Sequence, residues 1–241
     1  MNLKNIELTY VLPIYQENTE SNDLEKLVNI YGEYGKDVLN KIHFIFIDDC
    51  SPTPIVIKNK KINYTLLRIT DDIVWNQGGA RNLGVTVAHS IKLILTDLDH
   101  IFPESVFKDL ISKKIRNEIY KFRRESNGKR IDSHPNTFFC SKATYFKSLG
   151  VDEEFSGNYG SEDIYFYDLQ RHLGTKFKKY RKIMITTFEH KHHNLTRDTA
   201  HNFKLLELRR KAIRENKPFS AHSRKFLNFK WEVVESNSII E

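Results

Sequence analysis

Ile42-His43-Phe44-Ile45-Phe46-Ile47-Asp48-Asp49-Cys50-Ser51-Pro52 is a short, almost wholly apolar run that stops abruptly in carboxylates and turn formers. Unbroken hydrophobicity over six residues, instead of alternation, is what a parallel strand covered on both faces requires. Residues 6–12 repeat the pattern upstream. Between the two runs, Asn22 and Glu25 open a segment with Leu24, Leu27, Val28 and Tyr31 at helical spacing, which gives β-α-β. Downstream, residues 64–69 predict a third strand, 78–90 a helix entered through Gly78-Gly79, and 91–96 a fourth strand. The expected fold is therefore α/β, with a mostly parallel central sheet flanked by helices.

Past Pro103 a helix is expected to about residue 111, and the charged stretch 113–130 is expected to cross the surface. Residues 162–173 predict an amphipathic helix closed by Gly174, 182–188 a strand, and 197–215 a long polar helix. With 241 residues and neither a repeat nor a linker, a single domain over 1–241 is the expectation.

Hydrophobic residues make up 39% and charged residues 29%, which excludes the disordered and membrane-spanning classes. No run approaches the ~18–20 apolar residues of a bilayer span, and Met1-Asn2-Leu3-Lys4-Asn5 lacks a secretory apolar core, so a cytoplasmic location is expected. Cys50 and Cys140 lie too far apart for a CxxC redox or zinc signature. A formal charge of +7 fits nucleic acid, an anionic membrane face or a phosphate-bearing small molecule equally well.

In open parallel sheets ligands bind beyond the carboxyl ends of the strands, so the polar strand endings are the candidate site. They are Pro13-Ile14-Tyr15-Gln16-Glu17, then Asp48-Asp49-Cys50-Ser51-Pro52, then Asn76-Gln77-Gly78-Gly79-Ala80-Arg81-Asn82, and Thr96-Asp97-Leu98-Asp99-His100. Asp48 and Asp49 suit a base imide or ribose hydroxyls, or else simply build a turn. Gly78, Gly79 and Arg81 at a helix start suit an anion, or else an ordinary helix entry with an ion pair. In extended chain Asp97 and Asp99 point to one side, a charge that a divalent ion chelated by a diphosphate would balance. Glu162 and Asp163 read either as a carboxylate pair for chemistry or as first-turn acids. In Phe188-Glu189-His190-Lys191-His192-His193, alternation puts His190 and His192 on one face, a set that with carboxylates suits manganese better than calcium.

Taken in order, the IDDCSP segment at 47–52, GGARNLG at 78–84, DLD at 97–99 and GSED at 160–163 resemble the GT-A glycosyltransferases, particularly family 2 and its galactosyltransferase-like and chondroitin-polymerase-like relatives. The likeness spans roughly residues 6–194. It implies a Rossmann-like nucleotide-diphospho-sugar transferase domain, with a nucleotide-binding half (1–100), an acceptor-binding half (101–195) and a helical tail (196–241). It further implies a metal-dependent, inverting transferase using Mn2+ or Mg2+. The donor would be a nucleotide sugar, UDP-linked by first choice, and the acceptor a glycan or lipid-linked hydroxyl. Polysaccharide biosynthesis and peripheral association with an inner membrane face go with that reading. Pro13, Tyr15, Glu17, Asp48, Asp49, Gly79, Arg81 and Asp97 would hold the nucleotide. Asp99, His190 and His192 would ligate the metal, with the choice between the histidines open. Asp163 would be the general base and Glu162 would face the acceptor. The tryptophan common before that pair in the family is Tyr159 here. A nucleic-acid-binding module, with Arg209-Arg210-Lys211 and Arg224-Lys225 on phosphates, or another nucleotide enzyme such as a nucleotidyltransferase, is the alternative.

Overall fold

The structure is a computed structural model that describes residues 5–17, 22–188 and 196–239. Its first half follows the expected alternation. Strand β1 (Leu8–Ile14) leads into α1 (Asp23–Gly32) and the short α2 (Lys36–Leu39), then β2 (Ile42–Asp49), β3 (Tyr64–Ile69), α3 (Gln77–Val87) and β4 (Lys92–Leu95). These four strands run parallel in the order β3-β2-β1-β4. Every residue of β1 is buried, as its unbroken hydrophobicity requires.

Two cores sandwich this sheet. On one side Tyr10, Tyr31, Phe44, Phe102 and Phe107 form an aromatic cluster, with Tyr31 stacked on Phe44 at 5.4 Å. Each such ring adds roughly 1.5–3 kcal/mol by burial. The polar tips are satisfied internally, because the Tyr10 and Tyr31 hydroxyls lie 3.2 Å apart and the Phe102 N–H donates to Tyr31. On the other side Val11, Ile47, Leu83 and Leu95 pack α3 against the strands. A Cβ on Gly84 would lie 2.5 Å from Val11 Cγ1 and 2.8 Å from Ile47 Cδ1, so glycine sets how closely α3 approaches.

The second half departs from the expected parallel pattern, and the sheet as a whole is mixed. After the two-residue β5 (His100–Ile101) and α4 (Glu104–Ser112), the charged stretch is not a surface crossing: it forms β6 (Glu118–Ser126) and β7 (Lys129–Ile131). Only Ile119 and Phe122 of β6 are buried, and Lys121, Arg123 and Arg124 beside them hide the strand pattern. β8 (Phe138–Ser141) pairs antiparallel with β4, and α5 (Lys142–Phe146), a 3-10 turn (Glu153–Phe155) and α6 (Glu162–His172) follow. The last expected strand is longer than predicted, β9 (Lys176–Thr187).

The tail is not purely helical. After α7 (Ala200–Arg214), β10 (Trp231–Asn237) pairs antiparallel with β3 as an edge strand. Its residues are mostly exposed, so it has no buried face for a sequence pattern to reveal. The tail is clasped to the body through Asp152, which accepts from Arg209 Nε at 3.0 Å and from the Ser223 N–H at 3.0 Å.

Gly84→Val should lower stability by about 2 kcal/mol through overpacking and a β-branched residue in a helix. A urea melt checks this, and an unchanged midpoint would show that α3 does not sit so close to β1 and β2.

Candidate active site

The carboxyl ends of β1, β2 and β4 open on a cavity of about 920 Å³. Its wall is completed by residues 72–75 after β3, the 134–136 turn before β8 and the start of α6. Of the residues expected from the sequence, Pro13, Tyr15, Asp49, Asp97, Asp99, Glu162 and Asp163 line it together, although they come from four separate stretches of chain.

Others go elsewhere. Asp48 is 1% exposed and its carboxylate serves the turn: it pairs with Arg68 and accepts the Ser51 N–H at 2.9 Å. That turn carries Cys50 at φ +57 and is tied to β1 by the Gln16 N–H on Ser51 Oγ at 3.0 Å. Asp48 therefore shapes the wall that presents Asp49 instead of facing the cavity. Gly79 also lies off the cavity, and a Cβ there would run into Asn76 Oδ1 and into Phe229 Cε1 at 2.7 Å. Gly78 would likewise meet Val151, so this glycine pair serves helix packing, not backbone approach to a ligand. Glu17 is not among the lining residues. His190 and His192 lie outside the described residues.

Arg81 is buried and points its guanidinium at Asp97, with Nη2 2.6 Å from Oδ1. Gln77 Nε2 donates to the same oxygen at 3.0 Å, and His134 Nδ1 lies 3.0 Å from Oδ2. Burial alone would raise the Asp97 pKa, but the Arg81 charge and the contact with His134 outweigh it and hold the carboxyl well below the usual range. Asp97 is thus a fixed anion. Asp99 is more open: its Oδ1 lies 2.7 Å from His100 Nδ1, its side chain is 28% exposed, and its carbonyl accepts the Phe188 N–H at 3.0 Å.

Two further carboxyls are poised differently. Burial, with the Asp48 and Asp72 charges, pushes Asp49 up to about 7 against a hydrogen bond from Asn76. Burial, with the neighbouring Asp163 charge, pushes Glu162 up to about 7. The loop before Glu162 turns through Gly157 (φ +94), Gly160 (φ +82) and Ser161 (φ +72). Ser161 in this region is strained, as residues at functional sites often are. The loop is braced from α7, where Asn202 Nδ2 lies 3.0, 2.9 and 2.8 Å from the carbonyls of Phe155, Asn158 and Gly160.

Sequence reasoning missed His134, whose His-Pro-Asn turn carries no spacing signal and reaches Asp97 only through tertiary folding. It missed Gln77, which lies inside a noted segment. Trp75 and Tyr159, which with Tyr15 are the aromatic residues that the sequence offers for stacking on a sugar or lining a pocket, do line the cavity: Trp75, at φ +56, has its ring 4.6 Å from Tyr159 and its Nε1 donating to the Thr196 carbonyl at 3.0 Å. Among the described residues no three His, Cys, Asp or Glu side chains cluster as a metal site. Asp99 still fits as one ligand, because its carboxylate is partly exposed and lines the cavity.

No protein-family profile matches the chain, and no curated protein matches it. Solved structures do. S. aureus TarS 1-349 matches with a TM-score of 0.62 at 13% identity over 86% of this chain and 65% of that one, and TarS 1-349 in complex with UDP-GlcNAc with a TM-score of 0.61. A mutant of Drosophila beta1,4-galactosyltransferase 7, in complex with manganese, UDP-Gal and xylobiose, matches with a TM-score of 0.52 at 12% identity over 82% and 74%. Mannosyltransferase PcManGT from Pyrobaculum calidifontis, in complex with GDP-Man and Mn2+, matches with a TM-score of 0.56 at 13% identity over 91% and 68%. The chain spans about two thirds of the TarS 1-349 piece and 40% of the longer TarS chain. The fold is that of the GT-A glycosyltransferases.

Raised carboxyl pKa values mean that the folded protein binds more protons than the unfolded chain between the ordinary carboxyl range and about pH 7, so stability falls as pH rises through that window. Asp49→Asn and Glu162→Gln should therefore raise Tm relative to wild type at pH 8, with a gain that shrinks toward pH 4. A pH series of thermal melts checks it, and a pH-independent difference would contradict the burial of these groups.

Proposed function

We propose that this chain is a metal-dependent glycosyltransferase that moves a sugar from a nucleotide-diphosphate donor, UDP-linked by first choice, to a hydroxyl of a glycan or lipid-linked acceptor, with inversion. The observation that carries the reading is the meeting of Asp97 and Asp99 from the end of β4 with Glu162 and Asp163 from α6 on one cavity, with Asp49 across it. The fold shared with glycosyltransferases supports it, as do the manganese and nucleotide sugars in the neighbours' complexes.

Asp49 faces the nucleoside, where a carboxyl that takes or gives a proton near neutrality can pair with a base imide or a ribose hydroxyl. Asp99 would hold Mn2+ or Mg2+ through its cavity-facing carboxylate, with donor phosphates and a histidine of the 190–192 stretch completing the shell. When bound, such an ion neutralises charge on the leaving diphosphate. Arg81 pairs with Asp97, which lets that carboxylate sit ionised beside Asp99. Asp163 takes the proton of the acceptor hydroxyl while its oxygen bonds to the anomeric carbon. The bond from that carbon to the phosphate oxygen breaks on the opposite face, and the nucleoside diphosphate leaves. Glu162, beside Asp163, orients the acceptor. Trp75 and Tyr159 offer aromatic faces to its sugar ring.

No helix of the described residues is long and apolar enough to cross a membrane, and a cytoplasmic site of action at an inner membrane face is part of the same proposal.

Asp163→Asn should cut turnover by about 10² to 10⁴. The rise in Tm that UDP with Mn2+ gives should persist in the same variant. Turnover equal to wild type would remove Asp163 from the base role, and the absence of any UDP and Mn2+ shift in wild type would remove the donor assignment.

A further inference from the structure

One face of the β6 and β9 pair carries cations that nothing in the fold neutralises. The two strands run parallel, with Lys121 directly opposite Lys179. Tyr120, Phe122 and Tyr180 turn to the core that holds Tyr10 and Phe102, whereas Ile119 and Phe177 turn to the core that holds Leu83 and Tyr167. Alternation therefore sends Lys121 and Lys179 to the second side, where α6 packs. Lys121 Nζ indeed lies 3.9 Å from the centre of the Tyr167 ring, and on the same side the Arg171 guanidinium lies 4.9 Å from the Phe177 ring. Arg123 follows Lys121 on β6 and donates from Nη1 to the Arg181 carbonyl at 3.3 Å, while its buried Nε has no partner among the described residues.

Charge pairing divides between the two faces. On the opposite face Lys178 pairs with Glu118 at 3.0 Å, and on α6 Arg171 pairs with Asp168 at 3.0 Å. Among the described residues Lys121, Arg123 and Lys179 form no ion pair. Like charges directly opposite one another destabilise a strand pair, so Lys121 and Lys179 oppose the sheet until an anion lies between them. Lys121 also ties this face to the site. Burial and the Arg171 charge hold its ammonium below the ordinary lysine range, while Asp163, the proposed base, pulls the other way. The Tyr167 ring beneath it donates its hydroxyl proton to the carbonyl of Pro135, which lines the cavity. Lys121, Arg123 and Lys179 themselves are not among the lining residues, so a donor held inside the cavity does not use them.

We propose that the α6 side of β6 and β9 is a binding track for a polyanionic acceptor, a glycan with repeated phosphodiester or carboxylate groups, whose terminal hydroxyl reaches Asp163 while its charges lie along Lys121, Lys179 and Arg123. The track rests on the transferase reading above and narrows its acceptor. A neutral glycan would leave these cations uncompensated, whereas an anionic one is drawn to them and held in register beside the base.

Binding of polygalacturonate and of inorganic polyphosphate to the full chain, read by fluorescence anisotropy of end-labelled polymer, tests the track, with dextran of matched length as the neutral control. At least one polyanion should bind about 10-fold or more tighter than dextran, and which one does separates carboxylate from phosphate. Lys121→Gln with Lys179→Gln should lose about 10-fold of that affinity, whereas Lys217→Gln with Lys225→Gln, the same charge removed from the tail, should lose less than about 2-fold. Both double variants should keep the rise in Tm given by UDP with Mn2+, which reads the donor site alone. If the first pair does not fold, Lys179→Glu, at an exposed position, carries the same expectation. Asp163→Asn, which removes the acid that acts on Lys121, should tighten polyanion binding about 2-fold at low salt, and no change would place the track away from the base and overturn it. Equal losses in the two double variants, dextran bound as tightly as both polyanions, or single-stranded DNA bound as tightly as either would also overturn the track. No UDP and Mn2+ shift in the wild-type protein would instead overturn the transferase reading, and the acceptor role with it.

Discussion

The buried pair between Arg81 and Asp97 is the constraint on which the rest of the site is built. Two carboxylates, Asp97 and Asp99, end the same strand and face the same cavity, and burial would keep Asp97 from staying ionised there without compensation. Arg81 reaches up from α3 beneath the cavity floor and supplies it at 2.6 Å, with Gln77 and His134 completing the shell around Asp97. Removing one member of such a buried pair costs about 3–5 kcal/mol. The glycines of α3 make the geometry possible: Gly84 lets the helix lie against Val11 and Ile47, and Gly78 lets it lie against Val151. Sequence, helix packing and charge placement are thereby one chain of causes.

Around that fixed anion the other groups divide the labour by exposure. Asp97 is locked and ionised, Asp99 is the more open of the two, and Asp49 and Glu162 are pushed by burial to where a proton exchanges near neutral pH. The strained Ser161 loop that presents Glu162 and Asp163 is held from behind by Asn202 of α7, and α7 is held by Arg209 on Asp152. The tail thus belongs to the site's architecture even though none of its helix lines the cavity.

The parallel half of the fold was legible because β1 and β2 are buried on both faces and advertise it as unbroken apolar runs. The polar endings of those strands were legible for the same reason, since a buried strand has to stop somewhere. β6 and β10 were not, because few of their residues are buried and cationic or exposed side chains break any alternation. Roles within a motif were harder still. Asp48 and Asp49 are adjacent in sequence, yet pleating sends one to Arg68 and the other to the cavity. Gly79 and Arg81 sit in a phosphate-like motif but serve packing and charge balance. His134 acts only through a contact that folding creates, and no local pattern announces it.

The most direct measurement is a crystal structure of the protein with Mn2+ and UDP, with the ion located by anomalous scattering at the manganese edge. One peak is expected within coordination distance of the Asp99 carboxylate, with Asp97 still paired to Arg81. A peak away from Asp99, or an ion that draws Asp97 off Arg81 to become its main ligand, would contradict the division of roles between the two carboxylates.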